Sequence, residues 1–127
     1  MNGNQKKIMK PTNIYDIYEV VKIPFPFSET NQVKIRPAVI ISSEKYFNGK
    51  IGMSIMAMIT SIKPRHDLWP SDILIKDLQS SGLPVPSIVR FKLFTLDHRL
   101  IKGKLGLLSN IDIQAVQKML NNVLELS

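Results

Sequence analysis

The chain has 127 residues and a formal net charge of +7, and its 44% hydrophobic and 21% charged residues exclude intrinsic disorder and fit one globular domain. The absence of cysteine excludes a disulfide framework and thiolate metal ligands. No segment approaches ~18 continuous apolar residues and the N-terminus lacks the apolar core of a signal peptide, so we expect a cytoplasmic protein without a membrane span.

The N-terminal part of the chain is predicted to contain a leader and one strand. Residues 1–13 are polar and lysine-bearing, so we expect a flexible leader followed by a single domain over residues 14–127. Residues 19–23 are β-branched and alternate weakly, which predicts a strand. The prolines within residues 24–27 cannot donate to a ladder, and they place the end of this strand at an edge or a bulge.

Two strongly apolar strands are predicted next, after a polar loop at residues 28–33. Pro37–Ser42 and Ile51–Ile59 are near-continuous apolar runs, which are typical of buried strands. Residues 46–49 end in glycine and predict the turn that joins them. The short connection favours an antiparallel pair.

Short strands and loops are predicted to alternate in the following segment. Residues 61–71 form a second long polar loop, and residues 72–76 predict a short strand. The glycine and prolines within residues 82–86 mark a bend. A fifth strand is predicted at residues 87–94.

The C-terminal region contains the clearest helix signal. Asp97 predicts a single capped helical turn, and Ser109 with Asp112 matches a capping box at the start of a longer helix. Apolar residues then recur at helical spacing: Ile113, Val116, Leu120, Val123 and Leu124. The whole pattern predicts the α+β class, with about five short, mostly antiparallel strands in a small barrel or curled sheet and a C-terminal helix.

Positive charge is concentrated on two segments. Residues 31–66 hold six cations and one anion, and residues 91–108 hold four cations and one anion. This excess suits a phosphate-backbone partner, because neutralised phosphates release counterions; a basic surface without a ligand is the alternative. Arg36 and Thr60 stand at the ends of two predicted strands, and a fixed cation with a hydroxyl suits a phosphate and the charge that builds on it during transfer.

Five short motifs occur in an order that resembles a known family. They are Glu19–Phe27 (EVVKIPFPF), Lys34–Val39 (KIRPAV), Ile59–Ser61 (ITS), Ser81–Ser87 (SGLPVPS) and Thr95–Leu100 (TLDHRL). Each motif alone is weakly specific, whereas the ordered set closely resembles the PemK/MazF family of toxins from type II toxin–antitoxin systems. One departure is Tyr18, which stands where many members have a glycine, so we expect a differently shaped first turn.

The resemblance implies an SH3-like β-barrel, a homodimer, and an endoribonuclease (an mRNA interferase) that is inhibited by a cognate antitoxin. It implies sequence-selective cleavage of single-stranded RNA by transesterification, in which the substrate's own 2′-hydroxyl attacks the adjacent phosphorus. The products are 2′,3′-cyclic phosphate and 5′-hydroxyl ends. Because the substrate brings its own nucleophile, no metal and no cofactor are expected.

Three residues are expected to be catalytic by this resemblance. Arg36 aligns with the family's catalytic arginine, and it would hold the scissile phosphate and stabilise its developing charge. Thr60 aligns with the catalytic threonine, and it would bond a phosphate oxygen or orient the attacking group. Glu29, near the tip of the first polar loop, is the candidate general base. The structural alternatives are an ion pair for Arg36, backbone hydrogen bonds for Thr60 and a solvated loop acid for Glu29.

RNA contacts are expected from residues around this pair: Ser28, Lys34, Ser61, Lys63, Arg65, His66, Trp69 and Ser87. His66 titrates near neutral pH and would contact a base or the RNA, or lie on the surface without a role. Trp69 would stack on an unpaired base, or it would anchor its own loop to the barrel.

A second function from a different class stays open. The same fold serves non-catalytic modules, such as a DNA gyrase poison or an inactive nucleic-acid binder. The presence of both Arg36 and Thr60 favours the enzyme, because a gyrase poison has no need of them.

Overall fold

A computed structural model describes residues 15–25, 33–63 and 67–126 of the chain. The predicted leader, residues 1–13, lies outside this range, and the leader and the domain boundary stay predictions. In the part that the structure describes, no helix has both the length and the apolar character needed to span a membrane.

The described chain forms one six-stranded antiparallel sheet in the order β4-β5-β3-β2-β1-β6. The strands are β1 (Glu19–Pro24), β2 (Ile35–Ile40), β3 (Met53–Ser61), β4 (Ile73–Leu74), β5 (Ser87–Asp97) and β6 (Gly103–Leu107). The α-helices are α1 (Gly49–Ile51), α2 (Leu78–Ser81) and α3 (Asn110–Leu124). The sheet curls into a half-barrel, and the helix α3 follows the last strand, β6. The predicted fold class is therefore confirmed.

Both faces of the central strands are buried. One cluster, the helix-side cluster, contains Val20 of β1, Val39 of β2 and Val116 of α3. Val21, one position further along β1, belongs to a second cluster with Ala38, which we call the outer cluster. Because successive side chains of a strand point to opposite faces, a strand that is covered on both sides needs apolar residues at nearly every position. This explains the continuous apolar runs in the sequence.

The five predicted strands are all present, but several bounds differ from the sequence pattern. The strand predicted at residues 72–76 is reduced to the two residues of β4, and β5 continues to Asp97. β3 begins at Met53, because the preceding segment is helical. The turn predicted at residues 46–49 is a π-helical turn, Glu44–Asn48, that leads directly into α1.

β6 is the strand that the sequence pattern did not predict. Two of its five residues are Gly103 and Gly106, and glycine weakens the strand signal. Gly106 is required, because a Cβ atom there would collide with the backbone of Ser80 and Ser81 beside it. β6 pairs with Glu19–Lys22 of β1, which makes this part of β1 interior to the sheet. Pro24 lies beyond the β6 ladder and pairs only with β2, so the proline end of the strand is at an edge, one of the two predicted alternatives.

Tyr18 precedes β1 in the left-handed backbone region, with a φ of 71°. This conformation costs a non-glycine residue about 1 kcal/mol. Backbone hydrogen bonds on both sides hold it: the Tyr18 amide donates to the Ile40 carbonyl at 2.6 Å, and the Leu108 amide donates to the Tyr18 carbonyl at 3.0 Å. The tyrosine therefore takes a glycine-like backbone conformation, while its ring packs against the helix-side cluster.

Asp112 of α3 has a different role from the one predicted by the capping-box pattern. Ser109 is the N-cap residue, but its side chain makes no capping hydrogen bond. The Asp112 carboxylate is buried and accepts hydrogen bonds from the backbone amides of Lys76 and Asp77, both at 2.9 Å. The carboxylate therefore ties the helix to the segment between β4 and α2.

We expect Asp112→Ala to lower the free energy of unfolding by about 2 kcal/mol, because it leaves two part-buried amides without acceptors. Ser109→Ala is the matched control and is expected to cost less than about 1 kcal/mol, because the hydroxyl it removes makes no cap and only a long hydrogen bond of 3.5 Å to Asp112. Urea denaturation of both variants measures the difference. Equal losses would support the capping box and contradict the role given to Asp112.

The turn after β5 is capped by Asp97, as predicted. The Asp97 carboxylate accepts a hydrogen bond from the Arg99 amide at 2.8 Å and pairs with the Arg99 guanidinium at 2.8 Å. Together these contacts lower the pKa of Asp97 from 3.8 to about 2, and the largest cause is the side-chain hydrogen bond from Arg99.

Because the pKa of Asp97 is lower in the folded state than in the unfolded chain, the ionised carboxylate stabilises the fold at pH values above 3.8. This stabilisation is lost as the pH falls from 3.8 towards 2. We therefore expect the unfolding free energy of the wild type to fall more steeply over this interval than that of Asp97→Asn. Urea denaturation at several acidic pH values measures the two slopes. Equal slopes for Asp97→Asn and the wild type would contradict the prediction.

Candidate functional site

A cavity of ≈ 290 Å³ lies where β2 begins and β3 ends. Four residues predicted from the sequence line it: Arg36, Thr60, Ser61 and Ser87. A fifth polar residue is Lys22 of β1. The rest of the lining is apolar: Ile35, Pro37, Ile59, Leu83, Pro84, Val85 and Leu105. The cavity therefore combines two cations and three hydroxyl groups with an otherwise apolar wall.

The pairing of β2 with β3 brings Arg36 and Thr60 together. The paired positions run from Ile40 with Met56 to Ala38 with Met58, and extending this register by two residues places Arg36 across from Thr60. Residues two apart on a strand share a face, so both side chains leave the sheet on the face of the outer cluster. On this face the Arg36 guanidinium carbon lies 6.0 Å from the centre of the Phe25 ring, in a cation–π contact.

The two cations of the cavity have no carboxylate partner within residues 15–25, 33–63 and 67–126. The ion pairs of these residues are Arg90–Asp72, Arg99–Asp97 and Lys104–Glu19. None of them involves a residue that lines the cavity. In the same ranges, no group of three His, Cys, Asp or Glu side chains is placed to hold a metal ion. The positive charge of Lys22 and Arg36 therefore faces the cavity without a neutralising acid from this part of the chain.

The three hydroxyl groups sit at the adjoining ends of β3 and β5. Thr60 is only 8% exposed, so its hydroxyl belongs to the wall and not to the outer surface. Ser61 pairs with Ser87 across the two strands. The Ser87 hydroxyl donates a hydrogen bond to the Val85 carbonyl at 2.8 Å, which leaves its oxygen free to accept another.

The apolar wall opposite the strand ends depends on Gly82. This residue ends α2 with a φ of 73°, and a Cβ atom there would collide with the Leu105 carbonyl of β6. The close approach presses residues 83–85 against the cavity. The bend predicted from the glycine and prolines is therefore present, and it forms one side of the site.

The other predicted site residues that the structure describes, Lys34, Lys63 and Trp69, do not line the cavity. Lys34 and Lys63 are exposed and flank it, one before β2 and the other after β3. Trp69 lies elsewhere, beside Arg90. The other predicted residues lie outside the described part of the chain: Ser28, Glu29, Arg65 and His66.

Trp69 is part of an anchor that the sequence did not reveal. The Arg90 guanidinium lies 4.5 Å from the Trp69 ring and pairs with the Asp72 carboxylate at 2.7 Å. The same carboxylate accepts the Trp69 amide at 2.7 Å. The hydrogen bonds that the Arg90 guanidinium donates to the Asp72 carboxylate raise the pKa of Arg90 further above its ordinary value. This geometry corresponds to the loop-anchoring alternative for Trp69, although its side chain remains partly open, at 41% exposure of the residue.

Sequence reasoning did not assign Lys22 or the apolar lining residues, which include Leu105, to the site. The signal for Lys22 was present, because a lone cation interrupts the apolar residues of β1. Leu105 lies on the strand that was not predicted. Its contribution depends on the β1–β6 pairing, which no local pattern encodes.

The fold and the cavity together describe a small curled β-sheet with a basic site at the strand ends. The family model that matches the chain is that of the PemK-like, MazF-like toxins of type II toxin–antitoxin systems, and it covers residues 16–124. The chain therefore belongs to this toxin family. No curated protein matches its sequence significantly.

Solved structures with the same fold are similar over nearly their whole length. A MazE–MazF complex (form III) from Deinococcus radiodurans is 20% identical with a TM-score of 0.70, and the match covers 90% of this chain and 99% of that one. MazF alone (form I) from the same organism is 23% identical with a TM-score of 0.67, covering 88% and 97%. An endoribonuclease in complex with its cognate antitoxin, from a mycobacterial species, is 13% identical with a TM-score of 0.66, covering 89% and 97%. At these identities the similarity establishes the fold.

We expect Arg90→Met to lower the free energy of unfolding by about 3 kcal/mol, because it removes the guanidinium that neutralises the buried Asp72 carboxylate. The emission of Trp69, the only tryptophan in the chain, should shift as its stacking partner is lost. Arg99→Met is the matched control: its ion pair is exposed to solvent, so its loss should change the free energy of unfolding far less. Urea denaturation followed by tryptophan fluorescence measures both effects. Comparable losses for the two variants would contradict the anchor.

Proposed function

We propose that this toxin is a metal-independent, sequence-selective endoribonuclease that cleaves single-stranded RNA. The observation that carries the proposal is the convergence of Arg36 and Thr60 on one cavity, at facing positions of neighbouring strands. A guanidinium and a hydroxyl in this arrangement suit a phosphate group, and the cavity offers them no competing carboxylate within the described residues.

The reaction we propose is transesterification at phosphorus. The 2′-oxygen of the substrate forms a bond to the adjacent phosphorus as its proton leaves to a base, and the bond to the 5′-oxygen breaks. The leaving 5′-oxygen takes up a proton, which gives 2′,3′-cyclic phosphate and 5′-hydroxyl ends. Arg36 stabilises the extra negative charge on the phosphoryl oxygens, and the Thr60 hydroxyl donates to one of them. Positioning and charge stabilisation supply most of the rate, because the nucleophile is already part of the substrate.

The general base in this proposal is Glu29. The residue belongs to the polar loop between β1 and β2, and Arg36 lies only a few residues after this loop. A carboxylate is a suitable acceptor for the 2′-hydroxyl proton, whereas the arginine, which stays protonated, is not.

RNA contacts outside the cavity come from the exposed cations and hydroxyls that flank it. Lys34 and Lys63 lie on either side of the strand ends and would contact phosphates. Ser61 and Ser87 would contact the RNA from the cavity lining itself. Ser28, Arg65, His66 and Trp69 complete the RNA-binding set that we propose. Base recognition would come from these side chains, because single-stranded RNA is read by stacking and by hydrogen bonds to unpaired base edges.

The proposal includes a homodimer and a cognate antitoxin. Structures with the same fold are described as MazE–MazF complexes and as an endoribonuclease with its cognate antitoxin. An acidic antitoxin segment would compete with RNA for the positive charge of the cavity.

Cleavage of a long defined transcript by the purified protein, with EDTA present, tests the proposal. We expect Arg36→Ala to lower kcat by about 10³-fold and Thr60→Val by about 10²-fold, because each removes a group that stabilises the transition state. Mapping the new 5′ ends identifies the cut sites. The cut strands should carry 2′,3′-cyclic phosphate.

Two matched variants control for general damage to the fold. Arg99→Ala removes an arginine outside the cavity, and Thr95→Val removes an exposed hydroxyl from β5; both should retain wild-type cleavage. Full activity of Arg36→Ala would refute the site. Growth arrest with intact transcripts and damaged DNA would instead support a gyrase poison.

A further inference from the structure

Lys22 is a cation of the cavity to which the sequence analysis assigned no role, although it lies within the Glu19–Phe27 motif. It lies in the middle of β1, where it pairs with Pro37 of β2 on one side and Gly103 of β6 on the other. Its side chain is exposed, although most of its neighbours along β1 are buried. A charged residue at such a position needs solvent or a ligand for its ammonium group.

Lys22 and Arg36 reach the cavity from different faces of the sheet. Ile23 pairs with Arg36, so these two share a face, and Lys22 must then share the other face with its own partner, Pro37. Ser61 lies on this second face as well, one position beyond Thr60 on β3. The two cations therefore approach a molecule in the cavity from two directions.

The stem of Lys22 lies across the backbone of β6. A Cβ atom built on Gly103 would lie 3.4 Å from Cε of Lys22 and 4.0 Å from its Nζ. The ammonium group is thus close to the bare backbone of Gly103. The Lys102 amide also donates to the Lys22 carbonyl at 2.8 Å, which fixes the strand beneath the side chain.

We propose that Lys22 binds a second phosphate of the RNA strand, next to the scissile phosphate that Arg36 holds. The inference rests on the proposed nuclease function. One phosphate is compact, and two long side chains that leave adjacent strands on opposite faces diverge, so each cation takes its own phosphate. Lys22 is therefore a positioning residue that holds the strand in register with the Arg36–Thr60 pair.

This role predicts a loss of binding rather than a loss of chemistry. Each phosphate contact to single-stranded nucleic acid contributes about 0.7 to the slope of log K against log salt. Lys22→Met should reduce the slope by about 0.7 and weaken binding by about fourfold at 0.15 M salt and about eightfold at 0.05 M salt. In cleavage assays KM should rise by a similar factor, with kcat changed less than about twofold.

The binding probe is a single-stranded RNA oligonucleotide of mixed sequence with 2′-fluoro groups in place of its 2′-hydroxyls, which cannot be cleaved by the proposed reaction. Lys22→Arg should retain the wild-type slope, because it keeps the charge. Lys118→Met, an exposed lysine of α3 outside the cavity lining, is the matched control and should also retain it. Thermal unfolding verifies that all variants are folded.

An unchanged slope and KM for Lys22→Met would overturn the proposal, even if the wild type cleaves RNA. A loss of kcat with unchanged KM would also overturn it and place Lys22 at the reacting phosphate. If Lys22→Met weakens binding of polyglutamate and not of the RNA probe, an acidic protein segment is the ligand of Lys22. Absence of cleavage by the wild type would refute the nuclease function separately, because the binding slopes are measured without cleavage.

Discussion

The pairing register of β1, β2 and β3 is the constraint on which the site depends. Because side chains alternate along a strand, a slip of one residue would move Val39 from the helix-side cluster to the outer cluster and turn Arg36 away from the face of Thr60. Two buried clusters, one on each face, oppose any such slip. The packing of residues that touch no ligand therefore sets the geometry of the cavity.

The distribution of charge follows a second constraint. The ion pairs of the described chain all use residues outside the cavity lining: Arg90–Asp72, Arg99–Asp97 and Lys104–Glu19. Lys22 and Arg36 line the cavity without such partners in the described ranges. A bound anion would supply the missing counter-charge, and ligand binding would then stabilise the fold.

The site divides its work between rigid and variable parts. Arg36 and Thr60 are held on paired strands, where neighbouring residues restrict their positions. The exposed cations at Lys34 and Lys63 lie in connecting segments, which tolerate sequence change. In the proposed nuclease, such a division would keep the phosphate chemistry constant while base preference changes through the loops.

The sequence by itself determined the apolar strands, the terminal helix and the family motifs that contain Arg36 and Thr60, because these are short-range patterns of residue type and order. Only strand pairing brought Arg36 and Thr60 to one cavity. Tertiary structure decided that β6 pairs with β1, that Asp112 accepts backbone amides from a distant segment, and that Lys22 belongs to the cavity. The physical reason is that each of these features joins residues far apart in the chain. A contact of that kind is set by sheet closure and burial, which local periodicity does not record.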